Sequence, residues 1–166
     1  GRTYEILKIN RNQLSKEYQL YFDLYINKLR NEKERRKFKE YLIPIDQMGV
    51  IQIDAPNLVE ITSFDNYDDY NNYIIRLKQI PIKIDQIIKL MERGMEQNIM
   101  PPHIVLTSVP EQIIKQFSYS IENSPFFQPF TNFPTDFDKH FIQSMENDGK
   151  NVILKNIYPA FKKLEV

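Results

Sequence analysis

Apolar positions recur at helical spacing along most of the chain. Behind Ser15, a good N-cap residue, Tyr18, Tyr21, Phe22, Tyr25, Ile26 and Leu29 form one stripe. The pattern then runs into the charged stretch NEKERRKFKE and returns to apolar at Phe38, Tyr41 and Leu42. It predicts a single first helix of about 40 Å, ended by Pro44. Asp54, Ala55 and Pro56 read as a cap and first turn, opening a short helix to about Ile61. Asp65 or Asn66 then caps a helix that turns Tyr67, Tyr70, Ile74 and Leu77 inward. Pro81 separates it from another carrying Ile84, Ile87, Ile88, Met91 and Met95. Asn98 suits a left-handed helix end, and Pro101–Pro102 stops continuation. His103 to Phe117 is again helical, with Pro110 forcing a kink or restart.

The segment SIENSPFFQPFTNFP is too rich in proline for a regular strand. Asp136 opens a short helix, and Asn147–Asp148–Gly149 reads as a turn. Val152, Ile153, Ile157, Phe161 and Leu164 give a last amphipathic helix with Pro159 inside it. Its apolar pattern is still running at Val166, as in a chain that is cut. Strand alternation with hairpin turns is absent, and 4 glycines disfavour a β-rich fold. The expected fold is all-α: a long N-terminal helix, then several shorter antiparallel helices joined at prolines. Residues 1–166 are expected to be one all-helical segment, the N-terminal part of a longer chain.

Composition narrows the chemistry. Lys plus Arg and Asp plus Glu are both 22, so the net charge of zero argues against nucleic acid or an anionic membrane as partner. Without cysteine there is no disulfide, thiolate nucleophile or cysteine metal site. No apolar run approaches the ~18 residues of a membrane span, and GRTYEILKIN has no signal-peptide core. The compartment stays open.

Side chains with catalytic potential are scattered. His103 and His140 have no carboxylate or second histidine at ligand spacing, and capping or solvent exposure suffices for both. Asp65, Asp68 and Asp69 lack the calcium-loop pattern and suit a helix N-terminus. The serines sit in no nucleophile elbow. The tyrosine stripe of the first helix could stack nucleic acid, but burial is the simpler expectation. The Phe126–Phe133 segment could be a lid or docking strap, or a loop pinned to the core by its rings.

The order of motifs carries more information. LSKEYQLYFDLY, YLIPIDQMGVIQIDAPNL and DNYDDYNNYIIRLKQIP come first. They are followed by IDQIIKLMERGMEQNIMPPHIVLTSVPEQI, ENSPFFQPFTNFP and YPAFKKL. From about Leu14 onward this series resembles the N-terminal half of the bacterial and eukaryotic domain of unknown function 885 family. Members of that family are similar to all-helical zinc metallopeptidases of the His-Glu…His type. The resemblance implies a larger helical peptidase-like fold, with zinc and the catalytic groups in the C-terminal half of the full-length protein. It assigns no catalytic residue, metal ligand or cofactor to this segment, which has no His-Glu pair. It departs from the family pattern at Gly49–Val50, where two small residues often follow the methionine.

The resemblance further implies a segment that forms one wall of a peptide cleft. The long apolar connection Lys39–Pro56 singles out Asp46, Gln47, Met48 and Gly49 as substrate-cleft candidates. Gln47 offers donors and an acceptor to a peptide backbone, and Gly49 permits close approach. The alternative is a loop that plugs the gap between two helices. The expected partners are the C-terminal remainder of the same protein or a partner subunit, with peptide as substrate. The rival reading is a non-catalytic helical interaction or scaffold module, with Glu32–Glu40 and the Phe-rich loop as contact surfaces.

Overall fold

A computed structural model describes Ile6 and Lys8–Glu165. The chain forms two compact units, Gly1–Tyr41 and Leu42–Val166. Among the described residues there are six α-helices and no strand, so the fold is all-α.

The first unit holds a 3-10 turn, Arg11–Gln13, and helix α1, Lys16–Lys37. The Ser15 hydroxyl accepts from the Tyr18 N–H as the cap. Arg11 donates twice to the Asp23 carboxylate, at 2.7 and 2.6 Å, tying the turn to the helix. That pairing holds the Asp23 carboxyl below its ordinary value. Helix α1 is shorter than expected, 22 residues or about 33 Å. It stops well before Pro44, because Lys39 takes a left-handed φ of 52° and Arg35 pairs with Glu40 across the turn at 2.8 Å. The tyrosine stripe is not core. Tyr18, Tyr21 and Tyr25 are exposed, Tyr18 at 62%, and no residue of α1 is buried. Among the described residues this unit offers no second helical layer for a face of α1 to be buried against. Phe38 and Tyr41 are exposed too, and of that group only Leu42 reaches a core.

The second unit begins with helix α2, Ile51–Asp54, and a 3-10 turn, Pro56–Val59. The helical start therefore lies ahead of Asp54, which sits in the last turn rather than at a cap. Helix α3, Tyr67–Glu96, is opened by a capping box. The Asn66 side chain accepts from the Asp69 N–H, and the Asp69 carboxylate accepts from the N–H groups of Asp65 and Asn66. This explains the acidic cluster without a ligand. Pro81 does not divide α3, which runs unbroken for 30 residues. Tyr73, Leu77, Ile80, Ile84 and Ile87 form one buried stripe across the proline. At about 1.5–3 kcal/mol per buried side chain, that stripe outweighs the ~3 kcal/mol an interior proline costs. Asn98, at φ 55°, closes the helix as expected. The Ile99 N–H reaches the Gly94 carbonyl at 2.8 Å, and the Asn98 N–H reaches Met95 at 3.1 Å.

After a 3-10 turn at His103–Leu106, helix α4, Val109–Ser118, restarts with Pro110 in its first turn. The Phe-rich segment forms 3-10 turns, and Phe126, Phe127 and Phe130 are buried. These three rings pin the segment to the core, and Phe133 is half-buried. The Tyr73 phenol donates to the Phe126 carbonyl at 3.1 Å, and Tyr70 stacks on Phe133 at 4.7 Å between centroids. Helix α5, Lys139–Val152, is capped by Asp138 rather than Asp136. The Asp138 carboxylate accepts from the N–H groups of His140 and Phe141. Asn147–Asp148–Gly149 lies inside α5 and is not a turn. Gly149 lets the helix close on Phe130, since a Cβ there would lie 2.7 Å from the ring.

A π-helical turn, Ile153–Ile157, leads into helix α6, Tyr158–Glu165. The widened turn carries the chain past Pro159, which has no N–H to donate. Helix α3 packs against α5, the π turn and α6, while α4 packs along α6 and also meets α2.

Candidate functional site

The candidate loop follows from what flanks it. Ile45 and Ile51 are buried on either side, so Asp46–Val50 must span two anchors across the surface. The Asp46 carboxylate accepts from the Met48 N–H at 2.7 Å, and Asp46 bridges Gly49. The Gln47 N–H donates to the Val105 carbonyl at 3.0 Å, just before α4. The Gln47 carbonyl accepts from the Gln112 side chain at 3.2 Å. Met48 stands at the tip, 82% exposed. Asp46, Gln47, Met48 and Gly49 are thus one small, heavily tethered projection. Gly49 answers no close approach, because a Cβ there would meet nothing within 4 Å.

The strain lies one residue on. Val50 has φ 79° and ψ −145°, a region that L residues, and β-branched ones above all, avoid. Such a conformation costs about 1–3 kcal/mol and persists only when its surroundings impose it. Gln52, two residues on, is 1% exposed. Its amide nitrogen donates to the Asp46 carbonyl at 2.7 Å and to the Gln112 side chain at 3.3 Å. Gln116 donates to the Gln112 carbonyl. The side-chain oxygens of Gln52 and Gln116 are buried with no hydrogen-bond partner. These three glutamines were missed by pattern reading. The only hint was a polar Gln52 inside the apolar run Val50–Ile53.

Beside the loop, an apolar groove of about 160 Å³ is lined by Ile43–Ile45, Met91, Met95, Met100 and Leu106. A polar pocket in the first unit lies among Glu32, Arg35, Arg36, Glu40 and Tyr41. Among the described residues no three of His, Cys, Asp and Glu come together to hold a metal ion. His103 and His140 are both exposed. Apart from the exposed Arg11–Asp23 and Arg35–Glu40 pairs, the displaced titrations are phenols: burial pushes those of Tyr70, Tyr73 and Tyr158 up, so they stay neutral hydrogen-bond donors. Among the described residues no helix is long and apolar enough to cross a membrane.

A family model described as bacterial protein of unknown function (DUF885) matches residues 2–166. Among curated proteins and solved structures, none matches the chain.

Proposed function

The chain belongs to that DUF885 family over almost its whole length, and from this premise we propose that it is the non-catalytic, helical wall of a zinc-dependent, peptidase-like hydrolase. Asp46–Gly49 would face the peptide. The observation that carries this reading is the construction of that loop. Its backbone is tethered at Asp46 and Gln47 by buried or half-buried partners, while its side chains at Gln47 and Met48 remain in solvent. A wall that orients a substrate needs this combination of fixed backbone and free recognition groups. The described residues do not fit a zinc site, so no chemical step is assigned to them.

The test uses the full-length protein that carries this segment. Zinc should be found by elemental analysis, and peptide hydrolysis should be abolished by a chelator. Gln47→Ala combined with Met48→Ala should then raise KM several-fold, with kcat and zinc content unchanged. Protein without zinc or hydrolysis would overturn the reading. The interaction-module alternative would then stand, and one observation favours it: the exposed Tyr18, Tyr21 and Tyr25 face of α1, continuing into the charged stretch Glu32–Glu40. The Phe-rich loop offers less to such a partner, since Phe126, Phe127 and Phe130 are buried.

A further inference from the structure

We propose that Asp46–Val50 is a two-state latch, held in a strained conformation by the side-chain amides of Gln52 and Gln112. Three observations converge on it. Val50, a β-branched residue, sits at φ 79° and ψ −145°, which the chain leaves once nothing holds it there. Two side chains outside the loop hold it, beside the Gln47 N–H bond to the Val105 carbonyl. Gln52 donates to the Asp46 carbonyl, Gln112 donates to the Gln47 carbonyl, and the two amides meet at 3.3 Å. The tip is also exposed, Met48 at 82%, so its release opens no core.

Gly49 supplies the joint. It stands in open space, and glycine absorbs large changes of φ and ψ at little cost. Rotation of the Gly49–Val50 peptide would take Val50 to negative φ and swing Met48 and Gln47 away from Val105. The buried neighbours Ile45 and Ile51 stay anchored, so the movement is confined to the tip. The latch is a property of the fold. Only its use as a gate on peptide entry rests on the cleft reading.

Hydrogen exchange at the Gln47 and Met48 amides, followed by NMR on the whole chain without substrate or metal, tests it. Val50→Gly removes the strain of the held form and should slow exchange at both amides about five-fold or more. Gln52→Met keeps the side-chain length but removes the donor, and should speed exchange about ten-fold or more. In the double variant the two opposite effects should combine, leaving exchange between the rates of the two single variants. Amides of α3 near Ile84 report global opening and should not change. If Gln52→Met unfolds the chain, Gln112→Ala, at a half-buried position, breaks the same clamp and should give the same acceleration. The proposal is overturned if Val50→Gly leaves these two amides unchanged or faster. It is also overturned if neither Gln52→Met nor Gln112→Ala speeds exchange at these amides. Neither result touches the zinc and hydrolysis test of the cleft reading.

Discussion

Three glycine-to-alanine substitutions in the second unit should have three different outcomes, because their surroundings differ. At Gly94 a Cβ would sit 2.8 Å from two backbone oxygens, those of Leu42 and Ile99. Backbone cannot rotate away as a side chain can, so overpacking should cost about 1–3 kcal/mol. The Ile99 N–H bond to the Gly94 carbonyl is also stretched, at a cost of about 1 kcal/mol. Alanine's better helix propensity offsets about 1 kcal/mol of this. The net loss is about 2 kcal/mol, or roughly 4–8 °C in Tm for a chain of this size. At Gly149 the obstacle is the buried Phe130 ring at 2.7 Å, a softer neighbour. The propensity gain should leave a net loss of about 1 kcal/mol. At Gly49 nothing lies within 4 Å and φ is not positive, so alanine should stabilise by about 0.4–1 kcal/mol through the unfolded chain. Urea unfolding of the four proteins, with unchanged m-values, measures the order. A Gly94→Ala protein as stable as the parent would refute the close packing of the α3 end against Leu42.

Asn66→Ala removes the capping box of α3 and should cost about 1 kcal/mol in the same assay. Pro81→Ala should stabilise, by up to about 3 kcal/mol, since α3 already passes through the proline without a break; a loss of stability would mean that the proline itself sets the helix path. Burial raises the Tyr73 phenol above its ordinary value. The folded state therefore keeps a proton that the unfolded chain releases above about pH 10. The stability this contributes is present in full below that pH and is lost as pH rises beyond it. Tyr73→Phe should lower stability at neutral pH by about 1–2 kcal/mol, because the Phe126 carbonyl loses its donor. It should also flatten the alkaline decline seen in unfolding titrations; an unchanged slope above pH 10 would contradict the buried phenol.

Much of the fold was legible because helical periodicity and capping are local. Ser15, Asn66 and Asn98 hold the cap positions expected of them, and Pro110 restarts a helix. The candidate loop was legible as a long apolar connection, Lys39–Pro56, within which Ile45 and Ile51 are buried. Proline and glycine misled where packing overruled them. Pro81 lies within a helical run because a long buried stripe continues past it, and Gly149 is a contact for Phe130 rather than a turn, whereas Pro159 lies inside the last helix as expected. The tyrosines of α1 have the spacing of a core face yet lie exposed, since periodicity marks a face without supplying what covers it. Sequence alone thus determined an all-helical chain and several of its helix caps, set by neighbours within a few positions, and its family, set by the order of motifs along the chain. Only the tertiary structure decided which apolar faces are buried, where a strained Val50 is tolerated, and that Gln52 and Gln112, 60 residues apart, hold one loop. Those outcomes depend on contacts between distant segments, which no local pattern encodes.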